Sequence, residues 1–157
     1  KYNLQPEQLQ EYKISSSKEV IQKTEEISGY ISLATVAIAF ISLVVGGIGI
    51  MNIMLASVSE RTHEIGIRMA IGAKNRDILM QFLIEALILS SLGGITGIII
   101  GVTLYVLYTV VSNQPFILSL ISIIGSFLSA AMVGIVSGYY PAKKASKLNP
   151  IDALRYE

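Results

Sequence analysis

Few residues of this chain are of a type that does chemistry. His63 is its single histidine, with Glu60 and Glu64 beside it. One imidazole and two carboxylates fall short of a metal site, which draws several ligands from converging elements. Glu60 and Glu64 read instead as solvated helix charges. There is no cysteine, which excludes a disulfide framework and a thiolate metal site. Proteolysis inside a membrane would want a His–Ser pair or two Asp residues within apolar segments, and those segments contain neither His nor Asp. No GxxxxGK[ST] string occurs, so these residues form no P-loop for ATP. What remains is charge in two places. Glu85 is the only Asp, Glu, Lys or Arg between Ile78 and Ala142. An ionisable residue within an apolar span is a functional candidate by default. Glu85 lies about 12 Å along a helix from Asp77, near an interface rather than at the midplane. It is expected to snorkel or to pair with a base, Arg68 or Arg76. The second place is the stretch Glu60 to Asp77, ERTHEIGIRMAIGAKNRD.

That stretch is a polar island. Ile27 to Ser59, before it, holds no Asp, Glu, Lys or Arg, and Ile78 to Ala142, after it, holds only Glu85. The 157 residues are 52% hydrophobic and 15% charged, with a mean hydropathy of +0.61. Soluble domains carry about a quarter charged residues, and apolar runs of about 18 or more residues read as transmembrane helices. The expected class is an all-α membrane protein. A net charge of +1 gives no reason to expect nucleic acid as a partner.

In chain order, residues 1–16 read as the remnant of an extracytoplasmic domain, and the chain as a segment of a longer protein that keeps its own C-terminus. Ser16 and Glu19 have capping-box spacing, so a helix is expected from about Ser17 to Ser59. At 1.5 Å per residue it would be on the order of 65 Å long, about twice a hydrocarbon core. Residues 17–29 then form a stalk on a permease-like unit, 30–157. Its spans are expected at about 30–57, 78–111 and 116–140, with a short helix in the segment 59–76 and a tail over 141–157. Arg61, Glu64 and Arg68 recur at i, i+3 and i+7 and share a face of the short helix. Gly72 suits its C′ position, and Asn75 is placed to cap the next helix. Pro141 is expected to end the third span, and Asn149-Pro150 to open a short last helix.

Small residues recur within the spans: Gly46 and Gly47 in the first; Gly93, Gly97 and Gly101, beside Gly94, in the second; Gly134 and Gly138 in the third. Such stripes let helix backbones approach in lipid, either within the bundle or at a dimer seam. No polar stripe runs along any span, so no substrate pathway through the bilayer is expected. The island holds Arg61, Arg68, Lys74 and Arg76, and the tail Lys143, Lys144, Lys147 and Arg155. The turn at 112–115 holds no basic residue. By the positive-inside rule the island and C-terminus are cytoplasmic, and the N-terminal stalk lies outside.

The string GGIGIMNIMLASVSERTHEIGIRMAIGAKNRDILMQFLIEA, Gly46 to Ala86, and the tail YPAKKASKLNPIDALRYE, Tyr140 to Glu157, resemble the permease region of MacB-type ABC transporters, within the FtsX/LolC-like permease group. The likeness runs from about Ile27 to the C-terminus. It implies the last three spans of a permease in the inner membrane, working as a homodimer. It also implies a coupling helix at about Glu60 to Gly72, with Glu60, Arg61, Glu64, Arg68 and Gly72 facing an ABC ATPase domain or subunit. ATP and Mg would be held by that ATPase, and no cofactor or metal by this chain, which would not be an enzyme itself. Closure of the ATPase pair would move the extracytoplasmic domains through the stalk, a mode called mechanotransmission. That motion would drive efflux of drugs, peptides or similar substrates, with a periplasmic adaptor and outer-membrane duct in some hosts. The alternative within the same group is an FtsX-like or lipoprotein-release-type permease with no efflux substrate.

Overall fold

A computed structural model describes residues 6–154, and side chains over 18–153. Those residues form five helices and no strand: α1 (Pro6–Glu60), α2 (Thr62–Ala70), α3 (Asn75–Ser112), α4 (Leu120–Ser146) and α5 (Pro150–Leu154). Three stretches are long and apolar enough to cross a membrane: Lys18–Glu60, Asn75–Ser112 and Leu120–Ser146. Only 6% of the most apolar window of each is buried, which leaves the rest for lipid. The fold is that of an all-α membrane protein. Residues 1–5 of the expected domain remnant, and Arg155 of the tail, lie outside the described residues.

The chain divides into two compact units, Lys1–Ser42 and Leu43–Glu157. The described part of the first is helix alone. α1 includes Pro6, so the helix start expected near Ser17 is wrong. From Glu7 to Ser28 there is no Gly or Pro to stop a helix, and the fixed φ of Pro6 suits a first turn. The helix therefore runs through the serines that looked like a cap. Farther along, Lys23 Nζ meets Glu19 Oε1 at 2.8 Å, one turn apart.

In the second unit α3 and α4 are antiparallel neighbours. The expected tight turn at 112–115 is longer. Asn113 reverses the chain with a left-handed φ of 51°, and Gln114 N donates to Thr109 O at 3.1 Å. Pro115 excludes an immediate return to helix. Tyr105 then holds the linker: its hydroxyl bonds Ile117 O at 3.2 Å and Ile117 N at 3.4 Å, and its ring lies 5.6 Å from that of Phe116. α4 accordingly starts at Leu120, with Ser119 as its cap, rather than at Phe116.

Pro141 does not end α4; the helix continues to Ser146. An internal proline forfeits a hydrogen bond and costs about 3 kcal/mol in an isolated helix. Here Pro141, Ala142, Ala145 and Ser146 are all buried, so packing outweighs that cost. They belong to the unit's core, in which Met54 and Val58 of α1, Ile65 of α2, Ile78, Phe82 and Ala86 of α3 and Ala142 and Ala145 of α4 pack together. The core thus gathers at the end of the unit that carries the polar island.

Candidate functional site

α2 is the centrepiece of that end. It begins one residue after α1, at a bend where Arg61 takes φ −100° and ψ 12°. Hydrogen bonding passes through the bend, since Arg61 N donates to Ser57 O and Ile65 N to Arg61 O, each at 3.0 Å. Ile65 and Gly66 are buried, which fixes one face of α2 on the core. Glu64 in the first turn and Arg68 in the last both favour the helix dipole. Gly72 ends the helix with φ +109°. Its N–H donates to Met69 O at 3.1 Å, and Ala73 N–H to Arg68 O at 3.0 Å, the paired bonds of a Schellman ending. At that φ an L side chain is strained, so glycine is required.

Beyond the turn, Lys74 rather than Asn75 takes the cap position of α3. Asp77 supplies the reason: its Oδ2 reaches back to accept from Lys74 N at 3.1 Å. That bond is the reciprocal half of a capping box, in which the third helical residue satisfies the cap residue's own N–H.

The charges of α2 are divided between two tasks. Arg68 Nη2 meets Glu64 Oε1 at 2.5 Å, and its Nη1 donates to Gln81 Oε1 of α3 at 2.9 Å. Arg61 Nη1 lies 3.5 Å from Glu85 Oε2. The base that answers Glu85 is therefore Arg61, in the bend, and neither Arg68 nor Arg76. Both ends of α2 are braced to α3 by an arginine. The opposite side carries no brace: Glu60, His63 and Glu64 are exposed, as are Ile67 at 44% and Ile71 at 81%. Two large apolar side chains in a charged, water-facing segment were not singled out from the sequence. Ile67 and Ile71 are four apart on the side of α2 away from Ile65, and it is the burial of Ile65 that marks them as outward-facing.

Ala86, Ser90 and Gly94 of α3 form the seam with α4. A Cβ at Gly134 would collide with Ser90, one at Gly138 with Ala86, and one at Gly94 would sit 3.1 Å from Ala130 Cβ. Gly47 is buried against Ser137 and Val133. Gly46, Gly93, Gly97 and Gly101 have open space where a Cβ would be. The doubled GxxxG stripe of α3 thus runs beside the seam, and Gly94 is the glycine in contact. Gly97 and Gly101 line a groove of ≈ 510 Å³ together with Tyr105 and, from across the seam, Ser122 and Ser126. Span hydroxyls turn back on their own helices: Thr96 to Leu92 O, Thr103 to Ile99 O, Ser126 to Ser122 O and Ser129 to Gly125 O. Among the described residues no cluster of His, Asp and Glu is placed to hold a metal.

Among the described residues, then, an apolar helical bundle gathers its core under a charged helix braced to α3. The family model "FtsX-like permease C-terminal" matches residues 36–150, and the chain belongs to that family. It is a permease segment of a multi-pass inner-membrane protein. It is 47% identical over its whole length to the macrolide export ATP-binding/permease protein MacB of Syntrophobacter fumaroxidans, of which it spans 22%. It is 51% identical over 93% of its length to MacB of Bdellovibrio bacteriovorus, again 22% of that protein. An uncharacterized ABC transporter permease of Bacillus subtilis, YvrN, is 50% identical over 94% of the chain and 36% of the relative. The chain thus spans well under half the length of these relatives.

Proposed function

We propose that this chain is the force-transmitting part of a MacB-type ABC transporter. α2 docks on an ABC ATPase domain or subunit in the cytoplasm, which holds ATP and Mg. Two copies work as a homodimer. The ATPase cycle pushes α2, the push enters α3 through the Arg61 and Arg68 braces, and α1 carries it towards an extracytoplasmic domain. Drugs or peptides leave from the outer side, through an adaptor and outer-membrane duct in hosts that have them. The observation that carries this reading is the division of α2 into a face fixed to the core and α3 and a face left open, with Ile67 and Ile71 at its centre. Span hydroxyls that close on their own backbones support expulsion without passage through these helices. So does the identity with proteins named for macrolide export.

The test is complementation. The full-length parent protein, with its ATPase, is returned to cells lacking it, and ATP-dependent extrusion of macrolides and peptides is measured. Restored extrusion is expected, and it should vanish when α2 is uncoupled. Normal ATPase activity with no extruded substrate would favour a regulatory permease of the FtsX kind.

A further inference from the structure

The tail lysines have no task in this account beyond orientation, yet two of them border a concavity of ≈ 500 Å³. Its floor is apolar, made by Leu55 and Val58 of α1 with Leu148 after α4. Its rim carries Lys144 and Lys147, with Asp152 of α5 as the one acid among the described residues. Both lysines are exposed and make no ion pair among the described residues. The hydroxyls at the same rim are already committed. Ser59 Oγ donates to Leu55 O at 2.7 Å, and Thr62 Oγ1 to Val58 O at 2.9 Å. Asn149 Oδ1 accepts from Ile151 N at 3.2 Å, so the two ammonium groups, with the Asn149 amide N–H groups, are the donors left to the concavity. Two Lys against one Asp leave the lining with a single positive charge.

The concavity lies where apolar helix gives way to charge. Leu55 is in the last turns of α1 before Glu60, and Lys144 follows the apolar run of α4. In a membrane that level is the headgroup region. A net positive rim above an apolar floor at headgroup level matches an amphiphile with one negative charge. Basic pockets between spans take anionic lipid headgroups on these grounds. Free phosphate would satisfy the lysines and leave Leu55 and Val58 wet. We propose that the concavity holds one anionic phospholipid, its phosphate between Lys144 and Lys147 and an acyl chain against Leu55 and Val58.

The full-length protein is purified, delipidated and titrated with phosphatidylglycerol or phosphatidylcholine, and bound lipids are counted by native mass spectrometry. One phosphatidylglycerol per chain is expected to bind ahead of phosphatidylcholine. Each lysine should contribute on the order of 5-fold in affinity, so Lys144→Gln with Lys147→Gln should weaken binding on the order of 25-fold. Asp152→Asn should tighten it, a change of opposite sign that misfolding cannot mimic. Equal phosphatidylglycerol binding by wild type and the double variant would overturn the proposal. So would equal affinity for phosphatidylcholine, or displacement of the lipid by inorganic phosphate, which would mark an anion site with no use for the apolar floor.

Discussion

Replacing Ile67 and Ile71 with alanine should uncouple the ATPase from transport without unfolding the bundle. The magnitude follows from exposure. Each substitution removes three carbons, and a buried methylene is worth about 0.8 kcal/mol. Ile71 is 81% exposed and Ile67 44%, and only that exposed share can be covered by a docking partner. The expected loss is about 2 kcal/mol for Ile71 and about 1 kcal/mol for Ile67, on the order of 10²-fold in the docking equilibrium for the pair. The folding cost should be small, because Ile65 and Gly66 on the other face hold α2 to the core. The assay uses the parent protein with its ATPase in lipid nanodiscs, and reads ATP hydrolysis, substrate-dependent stimulation and thermal unfolding. Stimulation should collapse while the unfolding midpoint holds. Undiminished coupling in the double variant would refute the docking face. A large fall in the midpoint would show that Ile67 and Ile71 serve folding instead.

The remaining expectations are smaller in scope. A double-mutant cycle of Arg61→Ala and Glu85→Gln, read by thermal unfolding, should give a coupling of about 0.2–1 kcal/mol, since the pair is 3.5 Å apart and half and one-third exposed; a coupling of zero would remove Arg61 as a brace. Gly72→Ala should destabilise the protein by about 1–3 kcal/mol through its positive φ, and an unchanged midpoint would mean that the turn adopts another backbone. Gly138→Leu should disrupt folding, because its side chain would enter the space of Ala86. Gly97→Leu should leave the fold intact, and loss of association by size-exclusion chromatography would then identify the α3 stripe as the dimer seam.

Much of this architecture can be read from the residues in order. Charge segregation marks the island between Ser59 and Ile78, and the apolar runs on either side fix the class as helical and membrane-spanning. Gly72 is legible because a glycine after a short amphipathic run has a local meaning. What escapes the sequence depends on contacts between distant segments. Pro141 looks like a stop, and only the burial of Ala142 and Ala145 against α1 and α3 explains why α4 runs on. Glu85 needs a base, but the choice of Arg61 follows from α2 folding back along α3 after the Gly72 turn. Which glycines pack depends on how α3 is rotated about its axis, a rotation that brings Gly94 rather than Gly93 or Gly97 to α4. Ile67 and Ile71 were hidden by their chemistry, since isoleucine is expected inside and becomes informative only once Ile65 is known to take that place.

The most direct measurement of the account is the side of the membrane on which α2 lies. The chain has no cysteine, so Asn75→Cys introduces a single thiol into it, at an exposed position just beyond α2 and outside the Ile67–Ile71 face. A membrane-impermeant maleimide should label that thiol in inverted inner-membrane vesicles and leave it untouched in intact cells whose outer barrier has been permeabilised. Labelling in the intact cells would place α2 opposite the ATPase, and no push from the cytoplasm could then enter the bundle through it.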